Sequence, residues 1–213
     1  MQATGTSSCL QFRRGELGPA RRLVIAALAT WPILGVYMII NHHQLGAPAI
    51  LRMPSWVPFW PGFALPYTAM LVSTWLLPVS IRDPRRFRTC LWAIICGYAV
   101  VVPFWMFMPT TLPRPELPEG FWSIFFKWLW TADPPNNVTP CAHGIGPSVA
   151  VWFVSRERPT WRWPMVVFLL LGIPSIAFTW QHRPTDILMG LGIAFATIAC
   201  FEKSYRQAGT PAS

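Results

Sequence analysis

Long apolar runs separated by short polar connections dominate the chain. Four runs are clearest: Leu23 to Ile40, Gly62 to Ile81, Thr89 to Met108 and Pro164 to Trp180. Each approaches the ~20 apolar residues that a helix needs to cross a bilayer. Two shorter runs meet weaker criteria, Gly144 to Ser155 and Thr185 to Phe201, the latter with Asp186 at its start. Together they predict an all-α membrane protein built as a bundle of six transmembrane helices. Pro66, Pro78, Pro147 and Pro174 fall in these runs and are expected to kink or locally break helices, which a bundle tolerates because neighbours satisfy the freed backbone groups.

The polar connections set the orientation. With the N-terminus inside and six crossings, the inner segments hold Arg13, Arg14, Arg21, Arg22, Arg82, Arg85, Arg86, Arg88, Arg156, Arg158, Arg162, Lys203 and Arg206. The outer segments hold only Arg52, Arg114, Lys127 and Arg183, so 13 of the 17 basic residues lie inside and 4 outside. Cytoplasmic loops carry the excess of Lys and Arg, so both termini are expected in the cytoplasm. The chain then divides into an N-terminal tail over 1–20, a six-helix membrane catalytic domain over 21–203 and a disordered tail over 204–213. The first apolar run lacks a cleavage-like end and reads as a retained anchor.

The outer side has three connections, residues 41–61, 109–143 and 181–184. The second contains FWSIFFKWLW at 121–130, with Trp122, Trp128 and Trp130 around Lys127. It reads either as a helix lying in the membrane interface or as a short re-entrant or packing segment. Asn137-Val-Thr in the same connection is a glycosylation sequon in a eukaryotic cell.

Composition agrees with a membrane domain. Charged residues make up 12% of the chain and hydrophobic ones 53%, whereas a soluble domain carries about twice that share of charge. The net charge of +9 does not point to nucleic acid, because the basic residues sit in short clusters between apolar runs, the pattern of a topology signal. Cys9, Cys90, Cys96, Cys141 and Cys200 have no paired spacing and form no disulfide framework.

Ionisable groups at a membrane border are costly and mark functional sites. On the outer side three separate segments supply them: Arg114 in PTTLPRPELP, His143 in TPCAHGIGPSV, and His182 with Asp186 in WQHRPTDILMG. If 182–186 form the first turn of the last helix, His182 and Asp186 share a face, and the carboxylate can fix which imidazole nitrogen stays free. Such a histidine serves as a nucleophile; a capping Asp beside an interfacial His is the plainer reading. His143 opens a short helix and can act as a general acid, with Gly144 and Gly146 letting a phosphate approach the helix N-terminus. It can equally be an interfacial anchor. Arg114 offers a forked cation for phosphate, or is an ordinary loop arginine. A metal on His42, His43, His143 and His182 competes with this reading, as does a thiol nucleophile at Cys141.

The order Arg114-Pro115, then PCAH at 140–143, then QHRPTDILMG at 181–190 resembles the type 2 phosphatidic acid phosphatase superfamily. The resemblance covers roughly Pro58 to Phe201, and PFWPGFALPYTAM with PTTLPRP is most similar to its inositol phosphorylceramide synthase branch. It implies a six-helix bundle with an extracytoplasmic active site, at the periplasmic face of a bacterial inner membrane. His182 would attack phosphorus, Asp186 orient it, and His143 protonate the leaving alcohol. Arg114 would hold the phosphate, with Cys141, Arg183 and Gly144 beside it. The partners implied are a membrane lipid phosphate and the bilayer, with no nucleic acid, no metal and no cofactor. Water or another alcohol releases the phosphohistidine, so hydrolase and head-group transferase both remain open. The family pattern has Lys, Arg and Ser where this chain has Phe107, Ile176 and Cys141.

Overall fold

The computed structural model describes residues 17–43, 46–117 and 119–207. Arg13, Arg14 and Cys9 therefore lie outside the described residues, as do most of the expected N-terminal tail and residues 208–213.

Among the described residues, seven α-helices account for the fold: α1 (Pro19–His42), α2 (Ala64–Val79), α3 (Pro84–Phe107), α4 (Phe121–Ala132), α5 (Ile145–Glu157), α6 (Arg162–Phe178) and α7 (Pro184–Gln207). Proline opens α1, α3 and α7, where its missing N–H costs nothing. The Asp83 carboxylate caps α3 by accepting from the Arg85 amide at 3.0 Å. Short 3₁₀ turns, Pro61–Phe63 and Pro159–Trp161, lead into α2 and α6. The connections after α1 and after α3 are tied by a two-residue parallel ribbon, β1 (Ala49–Ile50) against β2 (Thr110–Thr111).

Among the described residues, five helical segments are long and apolar enough to cross a membrane: Pro19–His42, Pro61–Val79, Pro84–Phe107, Pro159–Phe178 and Pro184–Gln207. The expected sixth, α5, has 13 residues and so reaches only about 20 Å, against a hydrocarbon core of about 30 Å. Its distinguishing property is burial. Almost every residue from Ile145 to Val154 is enclosed, and α5 packs on α2, α3, α6 and α7. A helix covered on all sides by other helices has no lipid-facing surface of its own, which is why its apolar run is short.

The helices alternate between two ends of the bundle. At one end Arg22 donates to the Val79 carbonyl, Arg158 to the Ser80 carbonyl, Arg85 to the Tyr205 carbonyl, and the Arg82 amide to Glu157. This is the basic end. At the other, the Trp60 amide donates to the Phe178 carbonyl, and Asn136 and Asn137 donate to the last carbonyls of α1. Asn137 is buried by that contact, which closes the sequon to a glycan. Two boundaries differ from the sequence expectation. The first helix starts at Pro19, placing Arg21 and Arg22 inside it, and the last continues to Gln207, so residues 204–207 are helical rather than tail. Arg206 and Glu202 pair one turn apart at 3.1 Å and extend that helix.

The run at 121–130 is α4. Phe126 and Leu129 are buried, with Phe126 packed edge-on to Phe59 at 5.1 Å between ring centroids, while Phe121, Ile124 and Trp128 are exposed.

Candidate active site

The start of α5 and the start of α7 meet at the end opposite the basic one. Two glycines set the packing here, Gly146 where α5 meets α2 and α3, and Gly190 where α7 meets the loop before α5. A Cβ on Gly146 would collide with Tyr98 and Thr74, and one on Gly190 with the Cys141 carbonyl. The Cys141 amide then donates to the Asp186 carbonyl at 3.0 Å, fastening the PCAH loop over the first turn of α7.

This packing brings the two histidines into direct contact. His143 Nδ1 lies 2.6 Å from His182 Nε2. His182 Nδ1–H donates to the Val138 carbonyl at 2.5 Å, so its Nε2 carries the lone pair, and His143 Nδ1 must be the donor to it. On its other side His143 Nε2 faces the Asp133 carboxylate at 3.5 Å. The two nitrogens of His143 thus face an imidazole on one side and a carboxylate on the other. Asp133 is in turn held by the Tyr37 hydroxyl and by the Asn41 amide at 2.8 Å. Burial works to raise Asp133, but His143, Tyr37 and Arg114 outweigh it and keep the carboxyl below its usual range. Burial pushes the His182 imidazole well down, and the charge on His143 adds to that. The neutral His182 thus presents its Nε2 lone pair to His143.

Asp186 is placed differently from the sequence expectation. It makes no bond to His182. Its carboxylate accepts from Thr139 Oγ1 at 2.6 Å, from the Arg183 amide at 3.0 Å, and from Arg183 Nε and Nη2 at 3.0 and 2.8 Å. The helix starts at Pro184, and His182 precedes it in a bend, its ring turned to the Val138 carbonyl instead. Arg183 is correspondingly spent on Asp186. Arg114 does reach the site end, donating to the Trp180 carbonyl and to Gln181 Oε1 at 3.0 Å. Its Nε is buried without a protein acceptor, as is the Tyr67 hydroxyl, whose ring lies 5.6 Å from that of His143.

Gly144 is buried at the N-cap of α5. Cys141 is buried too; burial pushes its thiol up to about 12 against the pull of the Gly144 and His143 amides. Cys141, His143 and His182 each offer a ligand atom within 4.8 Å of the others. His42 and His43 do not join this group; both are exposed, and His42 bonds the Met38 carbonyl of its own helix. Lys127 stands exposed on α4.

Sequence reasoning missed Asp133, Tyr37, Asn41 and Val138. Asp133 alone left a signal, an acid directly after an aromatic run and before Pro134-Pro135. The other three are recognisable only once α1 and the loop touch.

An apolar cavity of about 120 Å³ opens beside the pair, lined by residues of α1, α2 and α3 that include Thr30, Leu34, Leu71 and Trp75, and His143 forms its end. The fold and the site together define an apolar helical bundle with two histidines in direct contact at one end. The chain matches no protein-family model and no curated protein.

Proposed function

We propose that this chain is a multi-pass membrane enzyme that moves the phosphoryl group of a lipid phosphate through His182. The observation that carries the reading is the 2.6 Å contact between His143 Nδ1 and His182 Nε2. It pairs a proton donor with a lone pair at one point, as attack on phosphorus with protonation of the leaving oxygen requires. His182 attacks, the P–O bond to the lipid alcohol breaks, and His143 gives its Nδ1 proton to the departing oxygen. Phosphate enters between the rings and separates them. The orphaned Arg114 Nε and Tyr67 hydroxyl are donors that phosphate oxygens would satisfy. The apolar cavity ending at His143 suits the apolar part of a lipid.

In this reading α5 completes a six-helix alternation, the basic end faces the cytoplasm, and the site faces outward, to the periplasm in a bacterial inner membrane. The resemblance to type 2 phosphatidic acid phosphatases supports the same roles for His182, His143 and Arg114. It assigns Asp186 an orienting role that Val138 fills here, so Asp186 holds the loop instead.

The test is phosphate release from a panel of lipid phosphates by the purified chain, run with and without chelator. His182→Ala is expected to abolish release; unchanged release sinks the assignment. Adding head-group alcohols and looking for a new lipid by mass spectrometry separates transferase from hydrolase. A lipid-phosphate-binding protein without turnover is the second reading, favoured by the internal bonds that occupy Arg114 and Arg183. It predicts binding that survives His182→Ala.

A further inference from the structure

We propose that Cys141, His143 and His182 form a binding site for a single Zn²⁺ ion. The three ligand atoms already lie within 4.8 Å of one another. Zinc bonds of about 2.3 Å to sulfur and about 2.0–2.1 Å to nitrogen set tetrahedral edges of roughly 3.3–3.6 Å. The His143–His182 separation of 2.6 Å must therefore open slightly and the widest one close slightly, both within the reach of side-chain torsions.

The surroundings are those of a metal site. A ligating histidine holds its distal N–H on a carbonyl or carboxylate, which fixes the ring and raises the basicity of the metal-facing nitrogen. Both histidines do so here: His182 Nδ1 on the Val138 carbonyl, and His143 Nε2 toward Asp133, itself bonded by Tyr37 and Asn41.

Charge and protons balance. Binding displaces the protons on the Cys141 sulfur and on His143 Nδ1, while His182 keeps its Nδ1 proton and His143 carries one on Nε2. The thiolate and the neighbouring Asp133 carboxylate then offset the Zn²⁺ charge. Three protein ligands leave a fourth position open. The ion also takes the His182 lone pair, so zinc would silence phosphoryl transfer. That consequence rests on the proposed function, whereas binding does not.

The experiment uses the full chain, purified in detergent and stripped with chelator, titrated with Co²⁺ and then Zn²⁺. One equivalent of Co²⁺ is expected to give tetrahedral visible bands and a thiolate-to-cobalt charge-transfer band, both bleached by one equivalent of Zn²⁺. Cys141→Ser should lose the charge-transfer band and weaken Zn²⁺ binding at least tenfold. Asp133→Asn should weaken it about tenfold to hundredfold. A wild-type cobalt spectrum without the thiolate band overturns the proposal, and so does Zn²⁺ affinity unchanged by Cys141→Ser. Should that variant not fold by circular dichroism, the wild-type spectrum decides alone. None of these readouts needs turnover, so loss of the enzymatic reading leaves them intact.

Discussion

His182 donates its Nδ1 proton to the Val138 carbonyl at 2.5 Å and not to Asp186, four residues along the chain. A neutral carbonyl fixes the tautomer without adding charge. The acid in the network, Asp133, sits instead behind His143. The polarity of the pair follows: His143 donates and the lone pair stays on His182.

Asp133→Asn removes the carboxylate that faces His143 Nε2 at 3.5 Å. General acid catalysis contributes roughly 10²–10⁴-fold, and its partial loss should lower kcat by at least about tenfold with little change in KM. Steady-state kinetics on a lipid phosphate checks this. A change confined to KM would instead place Asp133 in substrate binding.

Asp186→Asn should act on stability. The fully buried carboxylate accepts from Thr139 and from three donors of Arg183. Hydrogen bonds to a charged group contribute about 1.5–3 kcal/mol each where an uncharged replacement leaves a donor unmet. A markedly lower Tm, with the pH–rate profile keeping its shape in the surviving protein, is the expected result.

Much of the bundle was legible in the sequence because lipid-facing helices need unbroken apolar runs. That logic located α1, α2, α3, α6 and α7 to within a few residues. It was least informative for α5, whose neighbours are protein, so its length obeys packing and not bilayer thickness. The site was legible as residue types and as one end of the bundle: Arg114, His143 and His182 converge as expected. Their bonding was not. The spacing of His182 and Asp186 suggested a pair, but a shared helical face requires both residues to be helical, and His182 lies just before α7. Asp133 escaped because loop conformation, not periodicity, brings it to His143.

Gly190→Ala tests how closely the PCAH loop must sit on α7. Its Cβ would collide with the Cys141 carbonyl, and backbone cannot yield as a side chain does. Overpacking costs typically about 1–3 kcal/mol, so Tm should fall and the histidine contact should open, with activity lost. Gly192→Ala is the control: nothing lies within 4 Å of its Cβ, and Ala at a helix interior is favoured over Gly by about 0.5–1 kcal/mol.

Asp83 gives the basic end a pH dependence. Burial works to raise its carboxyl, but the Tyr205 hydroxyl at 2.6 Å and the Arg85 and Arg86 amides outweigh it and hold it below the usual range. A depressed folded-state value contributes stability above the unfolded carboxylate range and loses it as pH falls toward the folded value. Tm should therefore drop on acidification through that range, and Asp83→Asn should remove its share of the drop. Parallel melts of wild type and variant across acid pH check the sign.

The most direct measurement is covalent trapping. The purified chain is mixed with a lipid phosphate carrying labelled phosphorus, quenched within one turnover, and analysed for protein-bound label. The account predicts an acid-labile, alkali-stable phosphoprotein with label on His182, absent from His182→Ala. Phosphate release that proceeds with no labelled protein, or with label persisting in His182→Ala, would contradict it.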